Sequence, residues 1–353
     1  MIDQALEVRG EDALDVEAIH QFVKAHLPDV QGELRMKQFR GGASNLTYQL
    51  SFDHADFILR CAPKGTKAKS AHDMAREFRV MQCLKPVYPY VPQMLAFCED
   101  TTLIGREFYI MEKLTGIIPR ANLPKDLKLS PEQTRQLCLS VIDKLIELHQ
   151  IDVEKADLQQ FGKGAGYCRR QIEGWTQRYQ KAKTWNVPAF SYVMDWLAAN
   201  LPQEERTCFI HNDFRFDNVV LNANDPMQVI GVLDWEMATV GDPLMDLGNS
   251  LAYWVQADDD FIHKMLRRQP THLPGMLRRD EVVRYYCDRM GYRQQDFTFY
   301  EVYGLFRLAV IVQQIYYRYH HKQTRNKAYR HFWLLANYLY WRCRNLIRTS
   351  EKA

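Results

Sequence analysis

The pattern of secondary-structure signals changes within residues 113–130, where one glycine and two prolines interrupt the chain. Before this segment, short runs rich in apolar and β-branched residues predict strands, and one longer stretch predicts a helix. The predicted strands cover residues 34–39, 46–52, 57–60, 94–98 and 107–111, and the helix covers about 70–84. After the segment, apolar residues recur at helical spacing, first over 132–149. The sequence therefore predicts an α+β fold, with a strand-rich part over 1–114 and a mainly helical part over 115–353.

The helical part is predicted to contain most of the long elements. Further helices are expected at about 166–182, 188–200, 243–256, 279–290, 297–320 and 325–348, and a leading helix at about 12–27 precedes the strands. Two short apolar segments, 208–210 and 229–233, lie between these helices and flank a group of polar residues. This polar group is therefore expected on loops that join short strands.

Length and composition exclude several classes of protein. A chain of 353 residues is long enough for two lobes with separate cores. The net charge of +3 is too small to indicate a nucleic-acid binder. Residues 1–10 contain no apolar signal core, and no apolar run approaches the ~20 residues of a membrane span. We therefore expect a cytoplasmic protein without a membrane partner.

The eight cysteines form no Cys-x-x-Cys pair, so free thiols are expected.

The polar group contains three side chains whose chemistry fits phosphoryl transfer. Asp213 and Asn218 stand in the stretch 211–218, His-Asn-Asp-Phe-Arg-Phe-Asp-Asn, and Asp234 follows a second apolar segment. Asp213 can orient or deprotonate a hydroxyl, while Asn218 and Asp234 offer the oxygen ligands that suit Mg²⁺. A hairpin that starts at 219–221 would bring Asn218 and Asp234 to the same end. An Asx-rich turn uses the same residue types, but the paired spacing favours a kinase-like phosphotransferase.

These residues resemble the catalytic loop of a known family. The stretches 211–218 and 232–248 are similar to those of the aminoglycoside phosphotransferase and choline kinase family, part of the protein-kinase-like superfamily. They look closest to the kinase-like domains related to those fused to some acyl-CoA dehydrogenases. The resemblance covers about residues 30–345. It implies a two-lobe fold with a small antiparallel sheet in the N-terminal lobe, and ATP bound between the lobes.

The resemblance also assigns the three side chains their roles. Asp213 is expected to be the catalytic base, and Asn218 and Asp234 are expected to hold Mg²⁺. Phosphoryl transfer would then depend on positioning and on stabilisation of charge.

Several neighbours of the base are assigned in the same way. Arg215 stands where the family usually has Lys, and a cation there can offset charge on the transferred phosphoryl group. Arg215 can equally pair with Asp217 or Glu236. His211 is expected to fix the loop by hydrogen bonding, and Asp246 is expected to anchor the backbone of the catalytic loop.

A glycine pair between the first two strands resembles the loop that covers the nucleotide phosphates. On its own, a Gly-Gly pair would indicate only a hairpin turn. Glycine lets backbone N–H groups approach phosphate oxygens closely, and neighbouring polar side chains can add donors. The expected nucleotide-binding residues of this loop are Gly41, Gly42, Ser44 and Asn45.

The remaining nucleotide contacts are expected on the third and fifth strands. Arg60 stands where the superfamily commonly has a Lys that binds the ATP phosphates, and Glu77 on the following helix is its expected partner. Arginine keeps the charge but is not interchangeable with lysine. Lys64 and Lys67 are alternatives to Arg60. The hinge that holds adenine is expected at Met111, Glu112 and Leu114.

The motif does not name the acceptor of the phosphate, which we expect to be a small molecule. Aminoglycosides are polycations, so a pocket for them should be strongly acidic. Segments 161–190 and 253–330 instead carry many Lys and Arg residues, which favours an anionic or neutral acceptor. The resemblance to dehydrogenase-fused domains suggests a hydroxyacyl thioester. The alternatives are an aminoglycoside kinase, a nucleotide-binding pseudokinase without phosphotransfer, and transfer of a nucleotide in place of a phosphate.

Overall fold

A computed structural model describes residues 5–39, 45–63, 73–202, 206–293 and 296–352. The chain divides into two compact units. The first comprises Met1–Lys128, Glu154–Leu158 and Phe216–Ala238, and the second comprises Leu129–Val153, Gln159–Arg215 and Thr239–Ala353. Among the described helices, none has the length and apolar character that crossing a membrane requires. All eight cysteine thiols are free, as predicted.

The first unit is built on a five-stranded antiparallel sheet of order β1-β2-β3-β5-β4. Its strands are β1 (Arg35–Gln38), β2 (Leu46–Ser51), β3 (Asp56–Cys61), β4 (Met94–Cys98) and β5 (Phe108–Glu112). The unit also contains helices α1 (Val16–His26) and α2 (Met74–Leu84), and the hairpin strands β7 (Val219–Leu221) and β8 (Val229–Val232). Each predicted strand of this sheet is confirmed to within one or two residues.

Alternation along β2 explains how the sheet is fixed. Leu46, Tyr48 and Leu50 are buried, whereas the residues between them are only partly buried. Side chains alternate between the two faces of a strand, so this pattern turns one face of β2 towards a core. Helix α1 contributes Ile19, Phe22 and Val23 to the same core, and Asp15 caps its first turn.

The second unit is mainly helical. It contains α3 (Pro131–His149), α4 (Tyr167–Ala182), α5 (Ser191–Ala199), β6 (Cys208–Ile210), β9 (Thr239–Gly241), α6 (Pro243–Ala252), α7 (Phe261–Met265), α8 (Arg279–Met290), α9 (Thr298–His320) and α10 (Phe332–Ser350). Strand β6 pairs with β9 in an antiparallel ladder. Strand β9 and helix α7 were not predicted, and α10 begins seven residues after the predicted start at about 325.

Helices α6 and α9 approach each other at backbone distance. A Cβ atom added at Gly304 would overlap the carbonyl oxygen of Gly248, and one added at Gly248 would overlap the carbonyl oxygen of Tyr300. Every residue of α6 is buried, which is expected of a helix covered on all sides. The glycines therefore set the separation of two helices that carry residues of the candidate site.

Candidate active site

The β7–β8 hairpin brings Asn218 and Asp234 to one end of the first unit. Val219 lies opposite Val232 in the ladder, and the Leu233 N–H donates to the Asn218 carbonyl at 2.8 Å. Asp234 then turns the chain with a left-handed φ of 69°. Asp tolerates this conformation better than most residues. The predicted proximity of Asn218 and Asp234 is confirmed.

Arg60 on β3 joins this hairpin to helix α2. Its Nη1 lies 3.1 Å from Glu77 Oε1, and its Nη2 lies 3.1 Å from Asp234 Oδ1. Glu236 Oε2 lies farther away, at 3.9 Å. The expected pairing of Arg60 with Glu77 is therefore present, and the contact with Asp234 adds a second carboxylate. Burial alone would lower the pKa of Arg60, but these carboxylates hold it well above its usual value.

Two further contacts tie the hairpin segment to the sheet and to α2. Asn45 Nδ2 donates to Glu236 Oε2 at 3.0 Å. Arg76 Nη2 donates to the Ala238 carbonyl at 2.6 Å. Asn45 was expected to face phosphates, and in this structure its amide contacts Glu236. The other expected phosphate-loop residues, Gly41, Gly42 and Ser44, lie outside the described residues, as do Lys64 and Lys67.

The expected hinge lies at the end of β5. Met111 is buried, and the Glu112 N–H donates to the Gln93 carbonyl at 2.9 Å. Leu114 covers Gly231 on β8 so closely that a Cβ at Gly231 would overlap its Cδ1 atom. This contact explains a glycine within a strand, a position where it is otherwise unfavourable.

In the second unit, Asp246 on α6 anchors the start of the catalytic loop. Its Oδ2 accepts from the His211 N–H at 2.8 Å, and its Oδ1 accepts from the Asn212 N–H at 2.8 Å. His149 Nε2 lies 3.1 Å from Oδ2, and its Nδ1 contacts the Tyr286 hydroxyl at 2.5 Å. Burial would raise the pKa of Asp246, but these donors hold it below its usual value. The predicted anchoring role of Asp246 is confirmed.

The loop itself adopts a conformation that needs this support. Asn212 has a left-handed φ of 65°. Its amide oxygen accepts from Tyr167 Oη and from Asn249 Nδ2, both at 3.2 Å. His211 is fully buried, and its Nδ1 accepts from the Asp213 N–H at 3.2 Å. The structural role expected of His211 is confirmed, and these contacts fix the backbone on which Asp213 stands.

The side chain of Asp213 pairs with Arg215. Arg215 Nη2 lies 3.2 Å from Asp213 Oδ2, and the Arg215 guanidinium stacks 4.7 Å from the ring centre of Tyr253. The side chains of Asp213 and Arg215 are only 22% and 16% exposed. This contact with Asp213 was not among the pairings expected for Arg215.

The donor set of the hairpin fits Mg²⁺. Asn218 offers an amide oxygen and Asp234 a carboxylate, and proteins commonly hold Mg²⁺ with one or two such groups while substrate phosphates complete the shell. No group of three or more His, Cys, Asp or Glu side chains in the described ranges forms a metal cage. A nucleotide-dependent Mg²⁺ site requires no such cage.

Sequence reasoning missed the residues that support the loop from a distance. His149 ends a helix whose apolar spacing made it look like an ordinary last-turn cation. Arg307 interacts electrostatically with Asp213 of the loop and lies over the ring of Trp175, and neither residue belongs to a motif. A buried polar residue at an apolar helical position, as at His149, is the one signal that could have indicated such a partner.

The architecture matches solved kinases. A "putative aminoglycoside phosphotransferase" from Ralstonia eutropha is 28% identical, with a TM-score of 0.76, covering 94% of this chain and 99% of that one. A choline kinase from Cryptosporidium parvum is 14% identical, with a TM-score of 0.65, covering 95% and 97%. Fold and site together define a two-lobe α+β protein of the protein-kinase-like class.

Residues 35–282 match the model of the phosphotransferase enzyme family, and the chain belongs to that family. Acyl-CoA dehydrogenase family member 10 of Mus musculus is 35% identical over 88% of this chain, and family member 11 of Homo sapiens is 33% identical over 89%. The chain spans only 29% and 40% of the lengths of these relatives. The expected resemblance is thus confirmed, and the family supports phosphotransferase activity.

Proposed function

We propose that this protein transfers the γ-phosphate of ATP to a hydroxyl group of a small molecule, with Mg²⁺ as the cofactor. In this reaction the acceptor oxygen forms a bond to the γ-phosphorus, and the bond from that phosphorus to the bridging oxygen breaks. ADP leaves with the electron pair. Asp213 takes the proton of the acceptor hydroxyl. Mg²⁺ would neutralise charge on the phosphates when it is bound.

The observation that carries the proposal is the position of Arg60. It contacts Glu77 and Asp234 through two different nitrogens, at 3.1 Å each. In protein kinases a cation on the third strand pairs with a glutamate of the following helix and binds the nucleotide phosphates, and the contact of Arg60 with Glu77 supports the same role here. Because both carboxylates orient the guanidinium, Arg60 can serve in place of the usual lysine. This supports an active enzyme over a pseudokinase.

Roles follow for the other expected residues. Asn218 and Asp234 hold Mg²⁺, and Arg215 offsets negative charge that develops near Asp213. Met111, Glu112 and Leu114 form the adenine hinge, with the Glu112 carbonyl and the Leu114 amide as its contacts. Gly41, Gly42, Ser44 and Asn45 cover the phosphates.

We also propose that residues 1–114 form the nucleotide-binding part and residues 115–353 the catalytic part.

The acceptor we favour is an anionic or neutral molecule with a hydroxyl group; a hydroxyacyl thioester is one example, and other anionic acceptors fit the same description. Solved neighbours include a phosphotransferase in a complex with AMP-PNP and hygromycin B, 17% identical to this chain. That likeness concerns the fold alone. The two relatives named above carry acyl-CoA dehydrogenase names, and the many basic residues of 253–330 suit an acyl acceptor that bears phosphates.

The test compares Asp213→Asn with Asp195→Asn, an exposed aspartate on α5. Loss of a general base should lower kcat by roughly 10²- to 10⁴-fold, while the affinity for ATP measured by calorimetry stays the same. Asp195→Asn should leave both quantities unchanged. Unaltered turnover in Asp213→Asn would refute the assigned role. Mass spectrometry of the product separates an added phosphate from an added nucleotide.

A further inference from the structure

Arg307 on α9 is a buried cation that has no carboxylate within ion-pair distance among the described residues. Its residue is only 4% exposed, and among the described residues it makes neither an ion pair nor a hydrogen bond. Its guanidinium lies 5.4 Å from the ring centre of Trp175 on α4. Burial of an unpaired charge is costly unless something compensates for it. The buried guanidinium of Arg307 is therefore a candidate ligand-binding group.

Two neighbours of Arg307 also present unsatisfied polar atoms. The Trp175 Nε1–H and the Tyr303 hydroxyl are buried and interact with each other, but neither makes a hydrogen bond of good geometry in the described part of the chain. Tyr303 stands one helical turn before Arg307, so both side chains lie on the same side of α9. We call Arg307, Trp175 and Tyr303 the donor cluster. Arginine and tryptophan can only donate, so the cluster matches a group that only accepts.

The donor cluster adjoins the candidate base. Burial opposes the charge of Arg307, but Tyr303, Tyr253 and the carboxylate of Asp213 raise its pKa above the usual value. Tyr253 is also the ring on which Arg215 stacks. The side chains of Arg215 and Asp213 are 16% and 22% exposed, so the candidate base at this end is open to solvent.

We propose that the donor cluster binds a carboxylate of the phosphate acceptor while the acceptor hydroxyl faces Asp213. This inference rests on the proposed function and names its substrate class, a hydroxylated carboxylic acid. A planar guanidinium matches the two oxygens of a carboxylate, and such bonds are among the strongest in proteins. A polycationic acceptor would be repelled by Arg307. The thioester or ester of the same acid offers one neutral carbonyl oxygen and matches the cluster less well.

The decisive variant is Arg307→Met, which keeps length and removes charge. Its matched control is Arg178→Met, because the guanidinium of Arg178 lies 4.4 Å from the same Trp175 ring but is exposed. Thermal shifts of the full chain are measured at constant ionic strength with short hydroxycarboxylates and with their methyl esters. We expect the carboxylates to stabilise the wild type and Arg178→Met more than the esters do. Arg307→Met should lose this preference.

Kinetics and the unliganded protein complete the test. For Arg307→Met, kcat/KM for hydroxycarboxylates should fall roughly 10- to 100-fold, which corresponds to loss of a charged hydrogen bond, and kcat/KM for esters should change little. Without ligand, the Tm of Arg307→Met should change little, since Arg307 makes no ion pair or hydrogen bond among the described residues that the substitution would break.

Two results would overturn the inference. One is a lower Tm of unliganded Arg307→Met with an unchanged response to carboxylates, which would indicate a structural role. The other is equal or better use of the esters by the wild type. If carboxylates bind through Arg307 but no acceptor is phosphorylated, the proposed function fails and the binding inference stands.

Discussion

The anchor of the catalytic loop can be tested by Asp246→Asn. The Asp246 carboxylate is fully buried and accepts from His211 N–H, Asn212 N–H and His149. Asparagine has one acceptor oxygen, and its NH₂ group would face at least one of these donors. One or two charge-assisted hydrogen bonds at about 1.5–3 kcal/mol each are lost, so we expect a loss of about 1.5–6 kcal/mol in the free energy of unfolding.

Asp242→Asn is the matched control. Asp242 is equally buried, four positions earlier, and its Oδ1 caps α6 by accepting from the Met245 N–H at 2.8 Å. Asparagine caps helices as well as aspartate does, so this change should cost less than about 1 kcal/mol. Thermal unfolding measures both, at roughly 2–4 °C per kcal/mol for a unit of this size.

The pH dependence gives Asp246→Asn a second readout. The pKa of Asp246 is lowered, so its contribution to stability is present above the unfolded value near ~4 and is lost as pH falls. The gap between wild type and Asp246→Asn should therefore narrow below that pH. The kcat of the variant should also fall, because the loop that carries Asp213 loses its anchor. Equal stability losses in the Asp246 and Asp242 variants would refute the anchoring argument.

Three further predictions follow from the packing and the charges. Gly304→Ala should lower the Tm because its Cβ meets the backbone of α6. Gly174→Ala on α4, where the added Cβ meets nothing, should gain about 0.5–1 kcal/mol of stability. An equal gain in both variants would contradict the close approach of α6 and α9. Burial raises the pKa of Asp242 to about 6. The free energy of unfolding of the wild type, relative to that of Asp242→Asn, should therefore decline as pH rises from about 4 to 6 in urea titrations. A difference between the two proteins that does not change with pH would contradict this. Arg60 contacts Glu77 and Asp234 through two separate nitrogens, and Arg60→Lys replaces this fixed fork by one shorter ammonium, so at least one contact should lengthen. The KM for ATP should then rise roughly tenfold, the equivalent of one charged hydrogen bond. An unchanged KM would contradict the bridging role.

Local signals were enough to locate most elements. Strands β2 and β4 alternate in burial, whereas β3 and β5 are short continuous apolar runs. Helix α3 repeats its apolar positions over 19 residues. Strand β9 was missed because Thr-Val-Gly contains a single strongly apolar residue, whereas the predicted three-residue strands β6 and β7 are apolar throughout. Strand β9 is formed by its pairing with β6. Helix α7 was missed because its five residues are too few to show a helical repeat of apolar positions. The start of α10 was placed too early because aromatic and basic residues continue the helical pattern upstream of Phe332.

The candidate site also contains residues that sequence spacing predicts and contacts that it does not. Asp213, Asn218 and Asp234 could be predicted because they share one stretch and one hairpin. The contact of Arg60 with Asp234 joins residues 174 positions apart, and that of His149 with Asp246 joins residues 97 apart. Such pairs depend on how helices and strands pack, which spacing along a single sequence does not encode. Arg307 could not be predicted for the same reason, because its burial without an ion pair among the described residues depends on how α4 and α9 pack.

A crystal structure with Mg²⁺ and a non-hydrolysable ATP analogue tests the central claim most directly. We predict that Mg²⁺ is coordinated by Asn218 and Asp234, that Arg60 contacts the phosphates, and that adenine meets the backbone of 111–114. Nucleotide bound elsewhere, or Mg²⁺ coordinated without Asp234, would contradict the account.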